Sequence, residues 1–231
     1  LGLPLAWGML GITVIVTWLS WGPGALFLTI ANVFGVMWNI IFIAIPLFIF
    51  MAVVLENSGI ADALFEAMYK WAGPVRGGLA IGTVVICAIF GAMSGITAAA
   101  TVTMGLIAVP AMLKRGYDKS LALGTVCGAG TLPILIPPSV SMVLLADLGR
   151  LSVGKLFMAG VMPGLLLTGL YIAYIAIKGL LQPESCPAHG EKFTLREKFI
   201  SLRALILPLL IIAAVLGTIF LGIASPTEAS A

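Results

Sequence analysis

The residues able to do chemistry in this chain are oxygen donors set beside helix breakers. Ser94 and Thr97 lie in the run from Gly91 to Thr97, which is small, hydroxylated and uncharged, and Thr101 and Thr103 follow it. A second group, Thr125, Thr131 and Ser139, is interleaved with Gly128, Gly130, Pro133, Pro137 and Pro138. Proline removes an amide donor and clashes with the preceding turn, so this stretch predicts two half-helices joined by extended backbone. A broken helix offers free amides and partial positive charge at one half-helix end, and unsatisfied carbonyls at the other. Hydroxyl and carbonyl oxygens suit a hard cation such as Na+. Discontinuous helices near the membrane midplane are the usual basis of sites in secondary transporters. Ser94, Thr97 and Thr131, placed at the breaks, are read as ligands. Thr101, Thr103 and Thr125 are read as bonding a preceding carbonyl or a neighbouring helix, as hydroxyls in membrane helices often do.

The elements that must position these groups are membrane helices. The chain is 61% hydrophobic and only 9% charged, against about 25% charged in soluble domains. No charge occurs before Glu56, and uncharged stretches run from Gly77 to Leu113, Ser120 to Ala146, Leu156 to Ile177 and Ala204 to Thr227. Each is long enough to cross a hydrocarbon core, which needs about 20 apolar residues. A first segment runs from Leu3 to Trp21 and breaks at Gly22-Pro23-Gly24. A second, from about Ala25 to Leu55, exceeds one span, so its first part is expected along the interface. Between Asn57 and Gly73, Ile60, Leu64, Met68 and Trp71 form an apolar face opposite Asp62, Glu66 and Lys70. That spacing predicts an amphipathic helix lying on the membrane or bracing its neighbours.

The uncharged run from Gly77 to Leu113 is too long for one span and slightly short for two with a loop. A tip of small and hydroxyl residues suits a re-entrant hairpin, because irregular backbone at membrane depth must be buried in protein or line a cavity. The basic residues agree. With a hairpin entered from the cytoplasm, Lys70, Arg76, Lys114, Arg115, Lys119, Lys178, Lys192, Arg196, Lys198 and Arg203 all face inward, and only Arg150 and Lys155 face outward. That satisfies the positive-inside rule. The fifth segment is Val153 to Lys178, the sixth Ala204 to Ala224, and a polar loop spans about 180–203. The organisation read from the sequence is scaffold helices and an interfacial helix over 1–76, a transport-domain hairpin and broken helix over 77–150, and further membrane helices with the polar loop over 151–231.

Other function classes fit poorly. A net charge of +3 without a basic run gives no footprint for nucleic acid. Cys87, Cys127 and Cys186 form no closely spaced pair, so neither a metal site nor a disulfide framework is indicated. An intramembrane enzyme needs a nucleophile with a base, paired acids or metal ligands at depth, but His189 lies in the polar loop and no acidic pair lies in a span. No cofactor is expected beyond a coupling ion. The lack of a proton-relay carboxylate in the spans favours Na+ over H+. The alternatives are an ion channel, which would repeat a filter among subunits, and a non-transporting membrane scaffold. The chain opens inside an apolar run without Met, lacks the basic n-region of a signal peptide, and closes on Ser225-Pro226-Thr227-Glu228, which reads as a helix start. These ends are expected of a fragment.

Several motifs in order resemble one family. Phe90 to Gly105 (FGAMSGITAAATVTMG) resembles the first hairpin of the large, DctM-like membrane subunit of the tripartite ATP-independent periplasmic (TRAP) transporters. Ile107 to Lys119, Gly128 to Ser139, Val153 to Gly160 with Pro163-Gly164, and Gly222 to Ala229 continue the likeness over essentially the whole chain. The resemblance implies an all-α polytopic membrane protein of elevator type, with two inverted repeats that each carry a hairpin and a broken helix; this chain looks like the first repeat and the entry to the second. It implies Na+-coupled import of organic acids across a bacterial or archaeal inner membrane. It also implies two partners, a small membrane subunit and a periplasmic substrate-binding protein. Carried over by position, Ser94, Gly95 and Thr97 help form one Na+ site, and Gly128, Gly130 and Thr131 contribute to it or line the substrate path. Many members have Ser at Ile96, Thr at Ala100 and Gly at Pro133. The first two differences shift ligation toward carbonyls, and the third stiffens the break.

Overall fold

The computed structural model describes residues 4–72, 75–187 and 194–230. His189 and Lys192 lie outside the described residues. Every regular element among the described residues is helical. The chain divides into two compact units, one up to Ile43 and one from Ala44.

The first unit holds α1 (Leu5–Trp21) and α2 (Leu26–Met37). Gly22 (φ 82°) and a 3-10 turn over Pro23–Ala25 connect them. Trp7, Ile12, Leu19 and Trp21 of α1 and Phe27, Ile30 and Phe34 of α2 are exposed, a surface suited to lipid rather than water. The long second segment of the sequence reading is divided. α2 stops at Met37, and Asn39 Oδ1 accepts from the Ile41 amide at 3.1 Å to start a new turn. That turn, Ile40–Ile43, opens an apolar stretch to Asn57 of 18 residues, long enough to cross a membrane.

The second unit begins with α3 (Ala44–Asn57) and α4 (Ile60–Ala72). α4 is the amphipathic helix: Ala61, Leu64 and Ala67 are buried against α5 (Gly78–Ser94), and Lys70 pairs with Glu66 at 2.7 Å. α5 is the hub of this unit and is buried over most of its length. α6 (Thr97–Leu113) returns antiparallel to it. Both arms have 17 residues, about 25 Å at 1.5 Å per residue, somewhat less than a hydrocarbon core of about 30 Å.

The feet of this hairpin lie together. The Leu79 amide donates to the Tyr117 hydroxyl at 3.3 Å, the Gly77 amide to the Cys186 carbonyl at 3.2 Å, and the Asp118 amide to the Ser185 carbonyl at 3.0 Å. Arg76, Lys114 and Lys119 thus belong to one end, as the charge pattern predicts for a hairpin and not for a single span.

The proline-rich segment is broken as its composition requires. α7 (Lys119–Ala129) is capped by Asp118, α8 (Leu132–Leu135) is a single turn, and α9 (Val140–Leu148) follows extended backbone at Ile136 and Ser139. The axis bends by 44° across the break. The extra turn α8 arises because Pro133 sits in its first turn, where a missing amide costs nothing.

α10 (Val153–Leu181) is long enough to span, with Pro163 inside it. The region read as polar loop contains α11 (Leu195–Ser201), nucleated by a capping box between Thr194 and Glu197. α12 (Arg203–Phe220) and α13 (Pro226–Ser230) complete the chain, and α13 starts where the sequence signals a helix start.

Candidate ion and substrate site

The hairpin turns in two residues. Gly95 adopts the left-handed conformation (φ 61°) and its amide closes α5 by donating to the Gly91 carbonyl at 2.8 Å. Ile96 is extended, and α6 begins at Thr97. Glycine is the residue that takes this helix-terminating conformation without a Cβ penalty.

The tip is pressed against the broken helix. A Cβ on Gly95 would lie 2.5 Å from the Pro138 carbonyl oxygen and 3.2 Å from the Ser139 Cα. One turn earlier, a Cβ on Gly91 would lie 2.8 Å from Pro133 Cγ and 3.0 Å from Pro133 Cα. The two glycines let the end of α5 lie directly on the backbone of the break. Two breaks separated by some forty residues of sequence thereby become one place.

Two serines are buried at this contact. Ser94 is buried, and among the described residues its Oγ is reached only by the Ile96 amide, at 3.5 Å. Ser139 is fully buried, and its Oγ has no hydrogen-bond partner among the described residues. An unpaired buried hydroxyl costs about 1–3 kcal/mol, so Ser139 stands at the junction of the two breaks as an uncommitted oxygen donor. The carbonyl end of α5 favours positive charge, whereas the amide ends of α6 and α9 favour negative charge.

The other predicted residues are placed less uniformly. Thr97 is half-buried at the start of α6, and its carbonyl accepts from the Thr101 hydroxyl at 2.8 Å. Gly130 is buried, and a Cβ there would collide with the Thr101 side chain, so it meets the hairpin one turn beyond the tip. Gly128 faces the Tyr171 ring of α10. Thr131 is exposed, and its hydroxyl donates to the Gly128 carbonyl at 2.7 Å. Ser94, Gly95 and Ser139 are therefore brought together, with Thr97 beside them. Gly128 and Thr131 lie on the flank that faces α10 and the surface.

Two features escaped the sequence reading, the burial of Ser139 and the partnering of Glu56. Ser139 was visible beside the prolines, but its burial depends on the approach of Gly95. The Thr103 hydroxyl, midway along α6, donates to the half-buried Glu56 carboxylate at the end of α3, at 2.7 Å. Nothing in the local sequence pairs residues 47 positions apart. Thr101 and Thr103 behave as expected of packing hydroxyls, whereas the buried Thr125 hydroxyl has no partner among the described residues.

Residues 1–231 match the family described as "Tripartite ATP-independent periplasmic transporter, DctM component". The chain belongs to the DctM family. Among its relatives are the C4-dicarboxylate TRAP transporter large permease proteins DctM of Pseudomonas aeruginosa, 38% identical over 96% of this chain and 51% of that protein, and of Vibrio cholerae, 37% identical over 100% and 50%. The ectoine TRAP transporter large permease protein TeaC of Halomonas elongata is 35% identical over 82% of this chain and 44% of that protein. The chain spans about half the length of the curated relatives it matches. Its apolar helices suit the membrane setting of a DctM permease, and its junction of hairpin and broken helix lies within the matched residues.

Proposed function

We propose that this DctM chain forms half of the transport machinery of a Na+-coupled permease, and that the ion is held where the hairpin tip meets the broken helix. The buried, unpartnered Ser139 hydroxyl beside Ser94 and Gly95 is the observation that carries this reading. Na+ takes oxygen ligands, and the carbonyl end of α5 with the two serine hydroxyls supplies them. Thr97 and the Gly128-Gly130-Thr131 segment extend the donor set toward the substrate path. A hydroxyl that donates one hydrogen bond keeps lone pairs for a cation, so the bond from Thr131 to Gly128 leaves it competent. A carboxylate substrate is favoured at the amide ends of α6 and α9.

In this reading the hairpin and broken helix move as one body past a scaffold of the helices and amphipathic helix of residues 1–76, in an elevator cycle completed by a second, inverted repeat. The substrate class is a small polar organic acid. The C4-dicarboxylate and ectoine permeases among the relatives support it. The reading includes delivery by a periplasmic binding protein, assembly with a small membrane subunit and multi-pass residence in a bacterial or archaeal inner membrane, and membership of the DctM family supports it.

The direct test is Na+-induced stabilisation of the full-length permease in detergent, with choline as control. Ser139→Ala removes an unpaired hydroxyl, so stability without Na+ should hold or rise by about 1 kcal/mol, while the Na+ increment should vanish. A Ser139→Ala protein with an undiminished Na+ increment would remove Ser139 from the site.

A further inference from the structure

A second site lies away from the hairpin tip. A cavity of about 420 Å³ opens between α5, α7 and α10, within the usual size range of small-molecule sites. Its floor is the small-residue face of α7 at Gly124 and Gly128, and its wall is Tyr171 and Tyr174 of α10. Nothing lies within 4 Å of where a Gly124 Cβ would stand, so the floor is open. Polar groups gather at one end, where Ser120 and Lys178 line the mouth.

That end is basic. Arg76 packs its backbone on Gly179, 3.4 Å from a Cβ placed there. Burial raises the Cys186 thiol above its ordinary range, and Lys178 and Arg76 are both near enough to oppose that rise; Lys119 adjoins Ser120. Of the nearby acids, Asp118 spends its carboxylate capping α7 at 3.0 Å from the Leu121 amide. Glu184 lies in the turn after α10. Lys178 has no ion-pair partner among the described residues. The positive-inside rule puts this end at the cytoplasmic face.

An apolar groove between membrane helices with one basic mouth is built for an amphiphile. We propose that it binds one anionic glycerophospholipid, with the phosphodiester at Lys178 and Ser120 and an acyl chain along Gly124 and Tyr174. The groove runs about 13 Å along α7 from Ser120 to Ala129, enough for the upper part of one chain. Basic pockets between membrane helices on the cytoplasmic side recognise such headgroups, and tyrosines favour the same level.

Native mass spectrometry of the full-length permease tests this, with phosphatidylglycerol or phosphatidylcholine added to delipidated protein. One phosphatidylglycerol should be retained, with about fivefold preference over phosphatidylcholine, the worth of one lysine near an anionic surface. Lys178→Gln should abolish the preference. Gly124→Leu, placed in open space, should expel both lipids. A wild-type protein that retains neither lipid, as when another segment of the permease fills the groove, would overturn the proposal. So would a preference that survives Lys178→Gln, or a lipid retained by Gly124→Leu. If Gly124→Leu fails to fold, Lys178→Gln alone decides.

Discussion

Replacing Gly95 by alanine adds one methyl group at the point where two elements touch. The backbone there is left-handed (φ 61°), a conformation that costs an L-residue about 1–2 kcal/mol. The new Cβ would also stand 2.5 Å from the Pro138 carbonyl oxygen and 3.2 Å from the Ser139 Cα. These are backbone atoms, so no side chain can swing aside, and forced overpacking costs about 1–3 kcal/mol. The sum is about 2–5 kcal/mol, or else the tip lifts off the break. Gly105→Ala is the control, because nothing lies within 4 Å of its Cβ and the residue is inside α6. It should be neutral or stabilising by up to about 1 kcal/mol. Denaturant titration of the full-length permease in micelles reads both, and Na+-dependent uptake reads the loss of the junction. Equal stability and uptake for Gly95→Ala and Gly105→Ala would refute the close contact of tip and break.

Other consequences are equally direct. A double-mutant cycle of Glu56→Ala and Thr103→Val should give a coupling of about 1.5 kcal/mol in unfolding, the low end for a hydrogen bond to a charged group because both residues are half-buried; additive effects would mean the bond does not form. Burial raises the Tyr117 phenol above its ordinary pKa of 10.0. Its stabilising effect is therefore complete below about pH 10 and is lost as pH rises through the raised value, so Tyr117→Phe should flatten the alkaline limb of a stability–pH curve, and an unchanged limb would contradict that. The capping carboxylate of Glu197 is held below its usual range by the Thr194 amide and hydroxyl. α11 should accordingly fray as pH falls through that depressed value, faster amide exchange in α11 being the sign, and Glu197→Gln should remove the pH dependence.

The hairpin was legible because three signals agree: basic brackets at Arg76 and Lys114, an uncharged interior, and a tip of small residues. Helix propensity alone would have run α5 into α6. The glycine that stops it is recognisable by type but not by its φ. Prolines announced the break, yet Pro133 served as a helix starter, and only its place in the first turn of α8 distinguishes the two roles. α11 was hidden by the polarity of its surroundings, although Thr194 and Glu197 carry the spacing of a capping box. Asn39 likewise marked the division of the second segment, under an apolar run that masked it. Ser139 and the Glu56–Thr103 pair could not be read locally, since each depends on elements far apart in sequence meeting through glycines and packed helices.

The most direct test of sodium coupling is substrate uptake into proteoliposomes that hold the full-length permease, its small subunit and its binding protein, with and without an inward Na+ gradient. Uptake should require the Na+ gradient and should be lost in Ser94→Ala and Ser139→Ala proteins that still assemble. Uptake driven equally well by a proton gradient in the absence of Na+ would contradict a sodium site at the junction of hairpin and broken helix.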